Sequence, residues 1–399
     1  MNQVNILGVE ISDISKSAAL AKVQNFVEDR FQHYITTPNP EIALASQKDK
    51  NLRLILNHAD LALPDGFGLK IAAKILGEKL RYRVSGADFM EAIVSLAESV
   101  GWPIFLLGGK DEKIAEKAAW RLRYLFKNVR VSGHASGGEV SFNEGRWQAS
   151  DKKLIDKINN SGAKIIFVGF GCPKQEKWIF TNLDKLSNIK VAMTVGGALD
   201  YLSGAKHRAP VILRKIGLEW LWRLALEPKR FKRVWNATFR FILETVKWKT
   251  RILTKYRKNA LACIINDSNE VLLVHRSNEK NEHWQFPQGG VEEGEAEEDA
   301  VMREMREEVG LKKLEIVGVH PEYHQYEWPR WHKLHGGYRG QRQAIFYLRQ
   351  IEEEAIKLDL NEIDEYKWVS LDKVVDKVHE QRRDVAEMVV EGYRKITSS

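Results

Sequence analysis

The sequence predicts an α/β protein of roughly two to three domains, and three features of the chain lead to that prediction. First, 44% of its 399 residues are apolar, which is enough to build more than one buried core. Second, short apolar runs alternate with amphipathic stretches over residues 1–205, as they do when parallel strands are joined by helices. Third, a fresh succession of strand-like and helical segments fills residues 256–399, beyond a basic helical segment at 206–255. These three ranges are the predicted domains.

The strand–loop–helix units of the first range place particular loops at one edge of the predicted sheet. The segments with this form are HYITTPNPEIALASQ, DLALPDGFGLKIAAKIL, PIFLLGGKDEKIAEKAAWRLRYLF, KIIFVGFGCPKQEKWIFTNL and KVAMTVGGALDYLSG. Ligands of open parallel sheets bind beyond the carboxyl ends of the strands. We therefore expect a site in the loops that follow the strands: Thr37–Asn39, Asp65–Gly66, Gly108–Gly109, Gly169–Gln175 and Gly196–Gly197.

The residues of these loops each admit two interpretations. Asp65 follows an apolar strand and precedes a glycine, a position that suits a general base and equally suits a turn that caps the next helix. Thr37 and Asn39 could bind a ligand or cap a helix. The glycine pairs Gly108–Gly109 and Gly196–Gly197 could present backbone N–H groups to a phosphate, although a lone glycine pair is a weak signal.

The segment 206–255 concentrates positive charge. Between Lys206 and Lys258 the chain has sixteen Lys and Arg but only three Glu, whereas the net charge of the whole protein is +8. Prolines delimit two predicted helices, 211–226 and 229–252. A basic surface of this kind suits anionic partners, which include phosphates, nucleic acid and anionic lipid.

The beginning of the chain and its cysteines predict a cytosolic protein. The start, MNQVNILGVEISD, lacks the basic and apolar parts of a secretory signal. No uncharged apolar run approaches the ~18–20 residues that span a bilayer. Cys172 and Cys263 are the only cysteines and form no CxxC pair, which argues against a thiolate zinc site and fits a reducing compartment.

Three glutamates of the C-terminal range have the spacing of one helix face. Glu304, Glu307 and Glu308 stand at i, i+3 and i+4. Carboxylates held that close repel each other unless a cation lies between them, and Mg²⁺ or Mn²⁺ prefers such oxygen ligands together with substrate phosphates. Gly310 would end the helix. The alternative is an acidic helix that is simply solvated.

The full pattern around these glutamates resembles the Nudix box. Gly289 is followed after five residues by Glu295, and after seven more by Arg303-Glu304-Met-Arg-Glu307-Glu308-Val-Gly310-Leu. The resemblance covers about 256–399 and implies an α/β/α Nudix sandwich. It also implies that Glu304, Glu307 and Glu308 bind Mg²⁺ or Mn²⁺, with Glu307 and Glu308 also catalytic. Arg303 would pair with Glu295 and hold the loop that begins at Gly289.

Further segments of this range resemble one branch of the Nudix enzymes. YRKNALACII, HWQFPQGGVEEGE and YRGQRQAIFYLR are similar to enzymes that hydrolyse dinucleoside polyphosphates or the 5′-triphosphate end of RNA, by metal-assisted attack of water on a phosphoryl group. The resemblance implies that Glu362 is a base or an additional ligand. Glu362 could equally be an exposed acid in an acidic loop.

The chain over about 1–250 resembles the WecG/TagA/CpsF glycosyltransferases. The matching segments are TPNPE, LPDGFGL, RVSGADF, LLGG, VGFGCPKQEKW, VGGALDYLSGAKHRAP and GLEWLWRLALEPKRFKR. The resemblance implies a Rossmann-like parallel-sheet domain that needs no metal and transfers N-acetylmannosamine, or another hexose, from a UDP-sugar to a polyprenyl-diphosphate-linked sugar. It makes Asp65 the base, and it places four residues around the sugar nucleotide and acceptor: Thr37, Asn39, Arg83 and Gln175.

The same resemblance favours a membrane role for the basic helical appendage at 206–255. Arg223, Arg230 and Arg233 would contact phosphate, because a guanidinium can donate two parallel hydrogen bonds, and tryptophans would lie at the lipid interface. A packed linker or an RNA-binding surface are the alternatives. The sequence thus predicts a cytoplasmic, peripheral, bifunctional enzyme on the inner face of the cell membrane, with homo-oligomerisation left open.

Two rival interpretations remain at this point. In one, only the Nudix hydrolase is active, on 5′-triphosphate RNA or a dinucleoside polyphosphate, and the N-terminal half is a membrane- or RNA-docking module. In the other, the protein binds RNA or lipid and is no enzyme. The exact donor sugar, the acceptor and the Nudix substrate are not encoded in these motifs.

Overall fold

The computed structural model describes residues 2–109, 111–143, 146–215, 217–277, 283–360 and 362–398, apart from the side chains of Lys215, Arg223 and Arg230. The chain divides into two compact units. The first contains Met1–Lys249 and Leu334–Gly337, and the second contains Thr250–Lys333 and Tyr338–Ser399.

The first unit is built on a six-stranded parallel sheet. Its strands and those of two small antiparallel hairpins are β1 (Gln3–Ile6), β2 (Val9–Ser12), β3 (His33–Thr36), β4 (Leu61–Ala62), β5 (Ile104–Gly108), β6 (Val131–Ala135), β7 (Val140–Asn143), β8 (Arg146–Ala149), β9 (Ile165–Gly169) and β10 (Val191–Thr194). The parallel strands lie in the order β4-β3-β10-β9-β5-β6, and β1–β2 and β7–β8 form the hairpins. All six carboxyl ends therefore meet at one edge of the sheet.

Both faces of this sheet are buried because successive side chains of each strand point to opposite faces. In β9, Ile165 and Phe167 pack on one side, and Ile166 and Val168 pack on the other. The helices that cover the two faces, together with shorter helices around them, are α1 (Lys16–Glu28), α2 (Pro40–Ala45), α3 (Lys50–Asn57), α4 (Phe67–Leu76), α5 (Gly86–Val100), α6 (Glu112–Leu125), α7 (Leu154–Asn160), α8 (Lys174–Asn182) and α9 (Ala198–Leu202).

The helical appendage differs from its prediction. One helix was expected over 211–226, but two are present, α10 (Val211–Lys215) and α11 (Glu219–Leu226). The interruption has a backbone cause, since Gly217 has φ +81°, a left-handed conformation that ends a helix. The second expected helix, 229–252, is also subdivided. It comprises a 3₁₀ turn (Pro228–Arg230), α12 (Phe231–Trp235), a π-helical turn (Asn236–Arg240) and α13 (Phe241–Thr254).

The second unit contains one mixed sheet. Its strands are β11 (Tyr256–Ile265), β12 (Glu270–Arg276), β13 (Trp284–Gln285), β14 (Gln288–Gly290), β15 (Leu314–Val319), β16 (His324–Glu327), β17 (Gly340–Gln350) and β18 (Ile363–Ser370). The order β13-β12-β11-β17-β15 forms the main path, with β14 on β11, β16 on β17 and β18 on β12. The long strands β11 and β17 run parallel, and the other pairs are antiparallel.

Helices cover both faces of this second sheet, as expected for an α/β/α sandwich. They are α14 (Glu297–Glu308), α16 (Val374–Lys377) and α17 (Arg383–Thr397), and a further helix, α15 (Arg330–Gly336), lies between β16 and β17 in the chain. On one face α14 buries Ala300, Val301 and Met305, and on the other α17 buries Val385 and Val389. The predicted α/β class is therefore confirmed for both units. None of the helices in the described part of the chain combines the length and hydropathy needed to span a bilayer.

Candidate functional site

The carboxyl edge of the parallel sheet opens into a cavity of about 570 Å³. Of the residues expected from the sequence to form a site, the structure brings Thr37, Asn39, Asp65, Gln175 and Arg233 to the walls of this cavity. They come from the loops after β3 and β4, from the first turn of α8 after β9, and from the appendage. The strand-end geometry explains how residues so far apart in sequence share one cavity.

Asp65 is half-buried and held in place by backbone groups. Its own N–H donates to the carbonyl oxygen of Pro38 at 2.8 Å, and the N–H of Gly86 donates to its Oδ2 at 3.1 Å. Gly86 is the first residue of α5. The carboxylate thus contacts the start of α5, whereas α4 begins at Gly66 without a side-chain cap. The role of Asp65, general base or helix-capping turn, therefore stays a prediction.

Thr37 and Asn39 have local structural contacts as well as a place in the cavity. The Oδ1 of Asn39 accepts from the N–H of Ile42 at 3.0 Å, so that Asn39 caps α2. The hydroxyl of Thr37 donates to the carbonyl oxygen of Thr194 at 3.4 Å. Asn39 therefore caps α2 and also lines the cavity, whereas Thr37 lines the cavity and bonds to the end of β10; ligand binding by either residue stays a prediction.

Gln175 is only 2% exposed, and its amide is engaged by protein groups. Its Oε1 accepts from the N–H of Gly196 at 3.1 Å, and its Nε2 donates to Oε1 of Glu176 at 2.7 Å. The N–H of Gly196 is thereby occupied by protein. The expectation that the Gly196–Gly197 turn offers its N–H groups to a phosphate is thus wrong for Gly196.

An arginine cluster lies beside Asp65 and is larger than the sequence indicated. Arg83 donates to the carbonyl oxygen of Arg214 at 2.8 Å. Arg208 and Arg214 both donate to Oδ1 of Asp88, at 2.6 and 3.0 Å, and the Nε atoms of both are buried with no hydrogen-bond partner among the described residues. Two guanidinium groups thus share the carboxylate of Asp88, and Arg208 also lies 3.5 Å from Oε1 of Glu91.

The sequence-based reasoning missed Arg208 and Arg214. Arg208 lies in the segment SGAKHRAP, which was matched as a motif without assigning the arginine a role. Arg214 was counted only as part of the basic charge of the appendage. Of the appendage arginines named as phosphate ligands, the side chains of Arg223 and Arg230 lie outside the described residues. Arg233 lines the cavity.

Arg233 makes a bidentate ion pair with Glu41. Its Nε donates to Oε1 at 2.8 Å and its Nη2 donates to Oε2 at 2.9 Å. Both side chains are substantially exposed. The guanidinium is therefore extended toward the cavity and is satisfied by a carboxylate there.

A second cavity, of about 870 Å³, adjoins the first. Asn39, Asp65 and Arg233 line both cavities. The remaining wall of the second cavity includes Arg83 and Arg214 and is otherwise mainly apolar, formed by Phe67, Ile71, Leu218, Trp220, Val234, Phe239, Ile242, Leu243 and Val246. Asp65 therefore stands between a polar cavity and an apolar one.

In the second unit, α14 carries the three predicted metal ligands at different depths. Glu308 is 6% exposed, and the N–H of Gln288 donates to its Oε2 at 3.3 Å. Burial and the neighbouring charge of Glu304 raise the pKa of Glu308 to about 8. Burial likewise raises the pKa of Glu304. Glu307 is mostly exposed.

Arg303 links these carboxylates to the loop before the helix. It donates to both oxygens of Glu295, at 2.8 and 3.0 Å, and to the carbonyl oxygen of Gly290 at 2.9 Å. The ion pair holds the pKa of Glu295 low, at about 2. The Nη1 of Arg303 also donates to Glu304 at 2.8 Å and to Glu307 at 3.1 Å. Arg303 thus does more than the expected pairing with Glu295.

Glu362 lies on the approach to the same carboxylates. It is exposed, and its charge contributes to raising the pKa values of Glu304 and Glu308. Within the described residues, no three acidic, histidine or cysteine side chains converge as a ready-made metal site. The ligand set and the role of Glu362 therefore stay predictions.

A buried amide network beside Glu308 was not expected from the sequence. Nε2 of Gln343 donates to Oδ1 of Asn259 at 3.0 Å and also to Oε1 of Gln288. Gln288 is the residue whose backbone N–H reaches Glu308. In the sequence, the one indication that Gln288 matters is its position in HWQFPQGG, next to the glycines of the Nudix box.

Comparisons with known proteins divide the chain into two parts. A family model described as glycosyl transferase WecG/TagA/CpsF family matches residues 4–255, and one described as NUDIX domain matches residues 255–389. The N-acetylglucosaminyldiphosphoundecaprenol N-acetyl-beta-D-mannosaminyltransferase of Staphylococcus aureus (strain MRSA252) is 30% identical over 252 residues, which are 63% of this chain and 94% of that protein.

Two solved structures are similar to about a third of the chain. The E. coli dihydroneopterin triphosphate pyrophosphohydrolase has 25% identity and a TM-score of 0.29, and it covers 34% of this chain and 98% of its own. A C. elegans Ap4A hydrolase has 21% identity and a TM-score of 0.27, and it covers 33% of this chain and 94% of its own. The resemblances to both families that the motifs indicated are thus confirmed by the family models.

The contact between Gly289 and Glu304 gives a prediction about the second unit. A methyl group on Gly289 would lie 1.7 Å from Cδ of Glu304. We expect Gly289→Ala to lower the unfolding free energy of the second unit by about 1–3 kcal/mol through overpacking, measured by urea denaturation of the full chain. In a Glu304→Ala background the same change should cost much less, because the clashing group is gone. Equal losses in both backgrounds would contradict the contact.

Proposed function

The chain belongs to the WecG/TagA/CpsF family of glycosyl transferases, and on that premise we propose that it transfers N-acetylmannosamine, or a related hexose, from a UDP-sugar to a polyprenyl-diphosphate-linked sugar. The observation that carries the proposal is the position of Asp65 between a polar and an apolar cavity. The Staphylococcus aureus relative is named for transfer of an N-acetylmannosaminyl group to a diphosphoundecaprenol-linked acceptor.

The polar cavity suits the donor. Thr37, Asn39 and Gln175 line it at the carboxyl ends of the strands, the edge at which open parallel sheets bind nucleotides. Arg208 and Arg233 border it and offer guanidinium groups to the diphosphate of a UDP-sugar. The first unit would then need no metal to neutralise the departing UDP.

The apolar cavity suits the lipid-linked acceptor. Its polar end contains Asp65, Arg83 and Arg214, and its apolar wall is contributed largely by the appendage. A polyprenyl diphosphate has the same division, with an anionic head and an apolar chain. In this arrangement the diphosphate meets the arginines while the sugar hydroxyl that reacts lies near Asp65.

Asp65 would act as the general base. Its carboxylate takes the proton of the acceptor hydroxyl as that oxygen forms a bond to the anomeric carbon of the donor. The bond between that carbon and the diphosphate oxygen breaks, and UDP leaves with the electron pair. The N–H of Gly86 holds one carboxylate oxygen, which fixes the orientation of the base.

An aromatic ladder on the appendage supports peripheral attachment to the membrane. Phe231, Trp235 and Phe239 follow each other along one side of the helix, with ring centroids 6.3 and 4.8 Å apart. They are 61%, 49% and 65% exposed. Exposed aromatic rings beside many Lys and Arg are typical of helices that lie in the interface of anionic membranes. We therefore propose the inner face of the cell membrane as the location.

For residues 256–399 we propose a Nudix hydrolase that cleaves a phosphoanhydride bond of a nucleoside polyphosphate or of 5′-triphosphate RNA. Nudix domains use divalent cations, and here burial together with the charges of neighbouring glutamates raises the pKa values of Glu304 and Glu308, so that a cation between these carboxylates would stabilise them. Glu304, Glu307 and Glu308 would hold Mg²⁺ or Mn²⁺, which would polarise the phosphoryl group and activate water.

Three further residues of the second unit, Arg303, Glu295 and Glu362, would support this reaction. Arg303 keeps the Gly289–Gly290 loop against the helix through Glu295, and Glu362 would take a proton from the attacking water or add a ligand. We thus propose that residues 1–205 form the glycosyltransferase domain, that the appendage 206–255 binds the membrane and the acceptor, and that residues 256–399 form the hydrolase.

Asp65→Asn tests the transferase. We expect it to lower kcat for transfer by roughly a hundredfold or more, because the amide cannot accept the proton, while binding of UDP is retained. The measurement is transfer from UDP-N-acetylmannosamine to a diphosphoundecaprenol-linked N-acetylglucosamine acceptor. Asp184→Asn, an exposed aspartate that lines neither cavity, is the matched control. Undiminished transfer by Asp65→Asn would refute the assigned base.

Glu308→Gln tests the hydrolase and its independence from the transferase. We expect hydrolysis of nucleoside polyphosphates with Mg²⁺ or Mn²⁺ to fall below detection, since the amide is a poor ligand for these cations, with transfer unchanged. Glu298→Gln makes the same chemical change at an exposed position of the same helix and should leave both activities intact. A parallel fall in transfer would mean that the two activities are not separable.

The aromatic ladder can be tested with vesicles. Replacing Phe231, Trp235 and Phe239 together by serine should weaken binding to phosphatidylglycerol vesicles by at least about tenfold, because apolar area is no longer buried in the interface. The control is serine at Trp120 and Tyr124, another exposed stacked pair, on α6. Equal losses in the two sets would show that the ladder is no specific membrane contact.

A further inference from the structure

Glu176 is a fully buried carboxyl group next to the polar cavity. It lies in the first turn of α8 and is 0% exposed. Burial raises its pKa, and the other groups that act on it are Gln175, its own backbone N–H and Cys172, none of which is a cation. A buried carboxyl without an opposite charge is costly unless hydrogen bonds fix it. The burial of the Glu176 carboxyl therefore points to a structural role, which its hydrogen bonds indicate.

One oxygen of Glu176 begins a chain of hydrogen bonds that ends in the cavity wall. Oε1 of Glu176 accepts from Nε2 of Gln175 at 2.7 Å. Oε1 of Gln175 in turn accepts from the N–H of Gly196 at 3.1 Å. A backbone N–H can only donate and the carboxyl Oε1 here accepts, so the two contacts together leave one orientation for the amide of Gln175.

The far end of this chain is a turn packed tightly against a neighbouring strand. Gly196 has φ +52°, and its carbonyl oxygen lies 2.8 Å from where a Cβ on Gly169 would stand. Gly169, Gly196 and Gly197 all line the polar cavity. Because the two backbones touch here, any displacement of the Gly196 turn changes the shape of the wall.

We propose that Glu176 is a positioning residue for the transferase reaction: it orients the Gln175 amide, which holds the Gly196–Gly197 turn in the shape that receives the donor sugar nucleotide. This inference rests on the proposed transfer function and deepens it. Glu176 does not line the cavity itself, unlike Gln175 and Gly196, so it acts through Gln175 and not by contact with the substrate.

Two substitutions of Glu176 separate its hydrogen bond from its charge. Glu176→Gln keeps an oxygen that accepts from Gln175, and it should retain donor KM and kcat within about threefold of wild type. Glu176→Leu removes the acceptor at similar volume. It should raise donor KM on the order of tenfold, with kcat changed by less than about threefold, because the base and the acceptor cavity are untouched.

A third variant tests whether Glu176 acts through Gln175. Gln175→Met breaks the chain in the middle and should give a rise in donor KM similar to that of Glu176→Leu. The double variant should be no worse than either single one, because both remove the same link. Asn182→Leu is the matched control for loss of a buried polar group: it lies on the same helix, is buried, and does not line the cavity.

The experiment measures steady-state transfer by the full chain, with UDP-N-acetylmannosamine varied at saturating acceptor. An unchanged KM for Glu176→Leu, additive effects of the two single variants, or an equal rise in Asn182→Leu would each overturn the inference. Should Glu176→Leu fail to fold, Glu176→Met takes its place, because Gln175 itself lines the donor cavity and its variant cannot decide alone: a raised donor KM in Glu176→Met supports the chain and an unchanged value overturns it. An inactive wild type would refute the proposed function and the inference with it, whereas an active wild type beside unaffected variants refutes only the inference.

Discussion

Close contact between glycines at the carboxyl ends of three neighbouring strands is the constraint on which the first unit depends. A Cβ on Gly108 would stand 2.7 Å from the carbonyl carbon of Gly169, and one on Gly169 would stand 2.8 Å from the oxygen of Gly196. Only hydrogen fits between these backbones. The loops after β5, β9 and β10 can therefore converge, and the cavity exists because they do. Substituting any one of these glycines would push the loops apart at the edge where ligands of parallel sheets bind.

The two units use acidic side chains in opposite ways. In the first, Asp65 is half-buried, and its Oδ2 accepts from the N–H of Gly86. In the second, Glu308 is buried near Glu304, and the pKa of Glu308 is raised to about 8. Crowded carboxylates of that kind gain stability from a cation. The roles proposed for them differ accordingly, with a base at the sheet edge and cation ligands on the helix face.

Sequence patterns predicted the sheets and the main loops because both depend on local information. Alternating apolar runs indicate parallel strands, and Asp65 was found because a polar residue after a buried strand points to the ligand edge. The box around Glu304 was readable because helical spacing alone places its members. The break at Gly217 was missed, since glycine within an apolar helical pattern can either continue or end a helix. Arg208, Arg214 and Glu176 were missed because their importance lies in contacts with residues distant in sequence.

The exposed ion pair between Arg233 and Glu41 affects how an anion would enter. Both residues border the two cavities, so a diphosphate arriving there meets a guanidinium already stretched toward it. Opening a solvent-exposed pair costs about 0–1 kcal/mol, and ordering a free arginine side chain costs up to ~2 kcal/mol. If the proposed donor binds at this edge, its diphosphate would replace the Glu41 carboxylate on a guanidinium that is already ordered, and the entropy cost of ordering that side chain would be smaller.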